Sequence, residues 1–265
     1  MGGSDLNFLV VIPARYGSTR LPAKALLDIA GKPMIQRVYE QAKKSKARDV
    51  IVATDDSRIG SVVEGFGGVA CLTAKTHKSG TDRVQEVAKK FGLPEDQIIV
   101  NVQGDEPLIP PEAINQVARD VIAKGAQIAT LAEVITESTE FHNPNVVKVV
   151  LDEEGYALYF SRAPIPWMRT DDLEEQVMLP KTDQIHALKH IGIYAYRVSL
   201  LNEYITWDES ELEQIEKLEQ LRALSHGINI YIGISKRPIP PGVDTEQDLR
   251  RVVEVIEKKI LVSES

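Results

Sequence analysis

Cysteine, histidine and net positive charge are all scarce in this 265-residue chain, and each scarcity excludes something. Cys71 is the single cysteine, so no internal disulfide can form and a reducing cytoplasm is the expected location. Its neighbours Val69, Ala70 and Leu72 are apolar, which suits a buried thiol better than a nucleophile. The five histidines show no metal-ligand spacing, so a zinc site is not expected. Lysine and arginine number 31 against 39 acidic residues, a formal charge of −8, which argues against a broad nucleic-acid surface. An anionic substrate would need cations gathered locally, and a metal to help, because the protein as a whole repels it. No apolar run approaches the ~20 residues of a membrane span, and no secretory signal is expected. The GxSxG elbow, the Walker A run and GxGxxG are also missing. Residues 1–6, beginning Met1-Gly2-Gly3-Ser4, are expected to be a flexible leader.

What is present is an ordinary globular composition, 43% hydrophobic and 26% charged, enough for one sizeable domain with an insertion. Short β-rich runs alternate with helical patterns, which predicts a doubly wound α/β fold with a mostly parallel sheet. Strands are expected at Phe8–Pro13, Val50–Thr54, Val69–Leu72, Ile98–Gln103 and Gln127–Val134. Helices are expected at Pro33–Ser45, Ser57–Phe66, Thr81–Phe91 and Pro111–Lys124, from apolar residues at helical spacing and Gly or Pro punctuation. Beyond about residue 140 the pattern is less regular. Strands are predicted at Val146–Leu151, Ala157–Ser161, Lys189–Tyr196 and Ile228–Ser235, with a polar segment around Thr170–Gln184. Leu212, Ile215, Leu218, Leu221 and Leu224 predict one helix over Glu211–His226, and a last helix covers Thr245–Lys259. Residues about 140–200 read as a smaller β-containing lobe set over the main sheet.

Four places carry candidate chemistry. Strand Val10-Val11-Ile12 ends at Pro13 and opens into a loop holding Arg15, Gly17, Arg20 and Lys24. Arginine forks and a lysine point charge suit phosphate oxygens, and Gly17 lets backbone N–H groups come close. A solvated basic turn is the plainer alternative. Gly104-Asp105-Glu106 follows an apolar strand, where a doubly wound sheet would place carboxylates for a hard cation; Gly-Asp is equally a common turn. Pro241-Gly242-Val243-Asp244-Thr245 precedes the last helix, and either Asp244 or Thr245 is an ordinary N-cap with Asp248 assisting. Ser79-Gly80-Thr81-Asp82-Arg83 opens a helix whose N–H groups and Arg83 suit a base or phosphate, or form a plain cap. His190 on a strand, and Glu219, Gln220 and Arg222 among leucines, fit structural roles when taken alone.

Taken together, the segments resemble the CMP-KDO synthetases, the 3-deoxy-manno-octulosonate (KDO) cytidylyltransferases of the sugar nucleotidyltransferase superfamily. The resemblance rests on Ile12-Pro13-Ala14-Arg15-Tyr16-Gly17-Ser18-Thr19-Arg20-Leu21-Pro22, Gly31-Lys32-Pro33-Met34-Ile35 and Ala53-Thr54-Asp55. It continues through Ser79–Arg83, Asn101-Val102-Gln103-Gly104-Asp105-Glu106-Pro107 and Ala157-Leu158-Tyr159-Phe160-Ser161-Arg162. It closes with His190-Ile191-Gly192-Ile193-Tyr194, Leu218-Glu219-Gln220-Leu221-Arg222 and Gly242-Val243-Asp244-Thr245. Ala23 departs from the pattern, since the family usually has glycine between Pro22 and Lys24; only a positive φ there would matter.

The resemblance implies one Rossmann-like domain over residues 1–265, of the nucleotide-diphospho-sugar transferase type, with residues about 140–200 serving substrate and dimerisation. It implies CTP and KDO as substrates, Mg²⁺ as cofactor, a homodimer, and CMP-KDO made for lipopolysaccharide. The sugar's anomeric hydroxyl attacks the α-phosphorus in line and diphosphate leaves, without a covalent enzyme intermediate. It assigns Ala14, Arg15, Ser18, Arg20, Lys24, Ser79, Gly80, Arg83 and Gln103 to the nucleotide, with Lys24, Arg15 and Asp105 catalytic. Asp105 and Asp244 would hold Mg²⁺, with a second ion riding on the β- and γ-phosphates. Gln103, Arg162, His190, Tyr194, Glu219 and Gln220 would form the sugar pocket. Other acidic sugars (8-amino-KDO or a sialic acid) and a catalytically silent nucleotide binder are the competing readings.

Overall fold

The computed structural model describes residues 6–17, 21–167, 169 and 187–264. The leader up to residue 5, Ser18, Arg20 and the polar segment Thr170–Gln184 lie outside them. The central strand β1 (Phe8–Ala14) is buried almost end to end. That is why it reads as a continuous apolar run rather than an alternation. A single 3₁₀ turn (Lys24–Leu26) and a two-strand hairpin, β2 (Asp28–Ile29) with β3 (Lys32–Pro33), lead into α1 (Met34–Lys43). Then follow β4 (Asp49–Thr54), α2 (Ser57–Gly65), β5 (Val69–Leu72), α3 (Gly80–Lys90), β6 (Ile98–Asn101), α4 (Pro111–Lys124) and β7 (Ile128–Val134). The later part carries α5 (Ser138–His142), β8 (Lys148–Leu151), β9 (Ala157–Ser161), β10 (Leu188–Arg197), α6 (Val198–Tyr204), α7 (Glu211–Glu216), α8 (Gln220–Ser225), β11 (Ile230–Ile234) and α9 (Glu246–Glu264).

The sheet runs β11-β7-β10-β6-β1-β4-β5, with β10 antiparallel to both neighbours and the other strands along this path mutually parallel. Successive residues of β1 serve opposite faces. Phe8, Val10 and Ile12 pack with Ile35, Val38 and Val117, while Leu9 and Val11 pack with Val84, Val87 and Leu201. Two cores on two faces are what doubly wound means physically. The β8–β9 hairpin joins the same sheet at the start of β10, so the 148–161 region is hydrogen-bonded into the central layer.

A third, smaller cluster decides the site. Leu21, Ile29 and Met34 pack against Val243, Val252 and Ile256, tying the loop after β1 to the segment before α9. Val243 is fully buried there, which stabilises the contact by about 1.5–3 kcal/mol.

One expected element is wrong. The helix predicted over Glu211–His226 is two helices, because Lys217 takes φ 53° and stops α7. The leucine spacing runs across the break, yet only its second half meets the core: Ile215 is 77% exposed and Leu218 buried. The other expected strands and helices lie within a few residues of the observed ones. The short β2–β3 hairpin, α5 and α6 were not foreseen; each is too short to show a period.

Candidate active site

Strands β1 and β6 are parallel neighbours, so the loop leaving Ala14 and the turn at Gln103–Glu106 emerge at the same edge of the sheet. Gly104 makes this possible, since a Cβ there would sit 2.7 Å from the Pro13 carbonyl oxygen. The segment before α9 then docks on the turn through the Val243 N–H, which donates to the Asp105 carbonyl at 2.8 Å. At the junction Lys24 Nζ donates to Asp105 Oδ2 at 2.6 Å, to the Val243 carbonyl at 3.0 Å and to Asp244 Oδ1 at 3.1 Å. Burial opposes the charge on Lys24, but Asp105 and then Asp244 outweigh it and its pKa is raised.

Thr245 settles which residue caps α9. Its hydroxyl accepts from the Asp248 N–H at 3.2 Å while Asp248 Oδ2 accepts from the Thr245 N–H at 3.0 Å. Asp244 is thereby turned towards Lys24 instead. Ala23, just before the lysine, adopts φ 54°, the one conformation an alanine there resists. Ala23→Gly should raise stability by up to about 1 kcal/mol, roughly 2–4 °C in Tm, since relief of the left-handed strain exceeds glycine's added entropy. A thermal melt reads this directly, and a lower Tm would reject the strain.

A cleft of about 350 Å³ opens beside the junction, lined by Ala14, Arg15, Lys24, Ser79, Gly80, Arg83, Gln103, Asp105 and Asp244 among others. Ser79 caps α3, its hydroxyl accepting from the Asp82 N–H at 3.1 Å and Asp82 answering at the Ser79 N–H, so the plain-cap reading holds alongside the cleft position. Arg83 is almost fully buried. Its Nη1 donates to Thr73 Oγ1 at 2.6 Å and to the Ala74 carbonyl at 3.2 Å, and Nη2 donates to Asp55 Oδ2 at 2.8 Å. It braces the cleft wall as well as lining it.

A second cleft, about 310 Å³, shares Gly80 and Gln103 with the first. It is lined by Thr81, Asn101, His190, Tyr194, Tyr196, Lys217, Glu219 and Gln220 among others. Asn101 Oδ1, Glu219 Oε1 and Gln220 Nε2 are buried there with no hydrogen-bond partner among the described residues. Such orphaned groups call for a polar ligand. Burial raises the Glu219 pKa, against the opposing hydrogen bonds from Thr81 and Ser79.

His190 packs between Phe160 and Tyr194, at ring separations of 5.1 and 5.4 Å. Its Nε2 lies 3.0 Å from Thr130 Oγ1, whose single proton goes to the Ile191 or Ile193 carbonyl at 2.9 or 2.7 Å. The imidazole is therefore assigned as the Nε2–H tautomer, leaving Nδ1 as its acceptor. Burial pulls its pKa down to about 3. An unfolded histidine gains a proton near pH 6.5 that the folded one refuses until about 3. Its contribution to stability is therefore present above pH 6.5 and lost as the pH falls towards 3. Ring ¹⁵N shifts should show His190 neutral down to pH 5; titration near 6.5 would contradict its enclosure.

Two expectations about placement need correction or restriction. Arg162 lines neither cleft: its guanidinium donates to the carbonyls of Glu216 at 2.6 Å and Pro144 at 3.0 Å. With the Ser161 hydroxyl donating to Glu216 Oε1 at 2.6 Å, it clamps the chain just where Lys217 breaks the helix. Ser18 and Arg20 fall outside the described residues. Lys217, Thr130 and Asn101 were missed by sequence reading. For Asn101 a signal existed, a polar residue ending the apolar run Ile98-Ile99-Val100.

No group of three or more histidine, cysteine, aspartate or glutamate side chains converges on a metal position among the described residues. Two carboxylates meeting on one cation, beside a cation-lined cleft, is the nearest donor set. It becomes complete for a hard cation when a ligand brings phosphate oxygens.

A family model described as cytidylyltransferase matches residues 9–230. A 3-deoxy-manno-octulosonate cytidylyltransferase of Cellvibrio japonicus is 56% identical over 254 residues, covering 95% of this chain and 99% of that protein. One from Vibrio vulnificus (strain CMCP6) is 54% identical over 254 residues, covering 96% and 100%. A solved structure of CMP:2-keto-3-deoxy-manno-octonic acid synthetase complexed with CTP matches with a TM-score of 0.85 and 43% identity. That match covers 96% of this chain and 99% of the other.

Proposed function

Because the chain belongs to the 3-deoxy-manno-octulosonate cytidylyltransferase family, we infer that it couples CTP to KDO, giving CMP-KDO and diphosphate. The observation that carries this reading is the pair of joined clefts. One is lined by the cations Arg15, Lys24 and Lys78, as a triphosphate requires; the other offers orphaned polar atoms beside aromatic rings, as a polyol requires.

The chemical difficulty is repulsion between a triphosphate and a sugar carboxylate, so positioning and charge neutralisation do most of the work. The anomeric oxygen of KDO bonds to the α-phosphorus, the bond to the β-phosphate oxygen breaks, and the hydroxyl proton is lost. Arg15 at the mouth and Lys24 within the first cleft bind the phosphates, with Ser18 and Arg20 expected on the same loop. Ser79 and Gly80 at the start of α3 face the nucleotide, and Arg83 holds that wall in place. Gln103, shared by both clefts, touches both substrates. His190 as a neutral imidazole, Tyr194, Glu219 and Gln220 orient the sugar hydroxyls.

Asp105 and Asp244 fit Mg²⁺, because they already converge on a single cation. When bound there, the ion neutralises phosphate charge and polarises the α-phosphate. The same reading takes the assembly as a homodimer working in the cytoplasm; sedimentation should then return twice the chain mass.

The test is diphosphate release with CTP, Mg²⁺ and KDO, run beside ATP, GTP, UTP and a panel of acidic sugars. Release that requires both CTP and KDO is the expected result. Release with 8-amino-KDO or a sialic acid instead would change the sugar, and CTP binding without any release would favour a silent binder.

A further inference from the structure

We propose that Lys24 is a built-in counter-ion, holding the divalent cation's place between Asp105 and Asp244 until a triphosphate draws it away. The proposal rests on the reading of those two carboxylates as the metal site. An ammonium has three N–H donors. In Lys24 all three are engaged, by Asp105 Oδ2 at 2.6 Å, the Val243 carbonyl at 3.0 Å and Asp244 Oδ1 at 3.1 Å. In this arrangement the side chain has nothing left to give a phosphate, and it occupies the position where Asp105 Oδ2 and Asp244 Oδ1 converge. Lys24 nevertheless lines the cation-rich cleft, within reach of an incoming triphosphate.

A flexible four-carbon stem makes the exchange sterically simple. Rotation of Lys24 onto a phosphate would satisfy its donors again and open Asp105 Oδ2 and Asp244 Oδ1 to a divalent ion. The converse also holds: an ion seated on the carboxylates releases the ammonium towards the phosphates. The coupling is reciprocal, because each ligand favours the same displaced state of Lys24. In the nucleotide-free protein, apparent metal affinity is the intrinsic affinity multiplied by the fraction of molecules in which Lys24 is already displaced. The lysine thus bridges the carboxylate pair when no substrate is present, and admits the metal with the nucleotide.

The experiment titrates Mn²⁺ into nucleotide-free protein and reads free Mn²⁺ by electron paramagnetic resonance. The expected result is weak binding in the wild type and affinity at least tenfold tighter in Lys24→Met, which keeps the stem and removes the charge. Lys24→Arg should stay as weak as wild type, and adding Asp105→Asn to Lys24→Met should abolish the gain. Lys24→Met binding no tighter than wild type, or a gain surviving Asp105→Asn, overturns the proposal. A second measurement needs no variant: amine acylation of Lys24 in the wild type, followed by mass spectrometry, should speed up when Mn²⁺ is added. An unchanged rate also overturns it. Wild-type turnover of CTP and KDO is read separately, so loss of this proposal leaves the assigned reaction standing, and loss of turnover strikes the assigned reaction instead.

Discussion

Asp105→Asn is expected to lower turnover by about 10²–10⁴-fold while leaving the protein folded. The substitution keeps the size of the side chain and removes its charge. With it goes half of the carboxylate pair that is proposed to hold Mg²⁺, a group worth several kcal/mol of charge stabilisation in such reactions. The fold should survive because the turn depends on other features. Gly104 still permits the close approach to Pro13, and the Asp105 carbonyl still accepts from the Val243 N–H. Diphosphate release under saturating CTP and KDO measures the loss, and circular dichroism checks the fold. Turnover near wild type would remove Asp105 from the chemistry.

Arg83→Ala should destabilise the protein by about 3–5 kcal/mol, lowering Tm by roughly 6–20 °C. The guanidinium is 5% exposed and its partner Asp55 is 16% exposed, so deletion leaves a poorly solvated carboxylate without its cation. Asp55 Oδ1 also accepts from the Tyr16 N–H at 3.3 Å, so the damage reaches the loop that carries Arg15. Weak CTP binding should accompany the lower Tm. Arg83→Lys keeps the charge but not the fork, and should recover only part of either. A variant that melts at the wild-type temperature yet fails to bind CTP would make Arg83 a ligand contact rather than a brace.

Both predictions concern residues that were conspicuous in the sequence, but for Arg83 the local signal was only part of the reason. Arg83 stood out as a cation at a helix start, which is a local signal. Its commitment to Thr73, Ala74 and Asp55 depends on β4 and β5 lying alongside α3. Arg162 stood out through the segment Ala157–Arg162 and was assigned to the sugar, but its donors go to backbone carbonyls. Surplus guanidinium donors satisfy buried carbonyls as well as they satisfy ligands. The break at Lys217 has the same origin. The leucine pattern favours one helix, and the clamp from Ser161 and Arg162 on Glu216 accompanies the break.

By itself the sequence determined the parts governed by neighbours along the chain. Apolar runs made β1, β4 and β6, Pro13 and Gly104 marked the ends of β1 and β6, and polar residues just past those ends supplied the site, because strand propensity and turn chemistry act over a few residues. Tertiary structure alone decided that β10 enters antiparallel between β6 and β7, that a third apolar cluster brings α9 to the loop after β1, and that Lys24 meets Asp105 and Asp244. Lys24 and Asp244 stand 220 residues apart. No local preference spans that distance; burial of Leu21, Ile29 and Val243 together closes it, with the Val243 N–H donating to the Asp105 carbonyl.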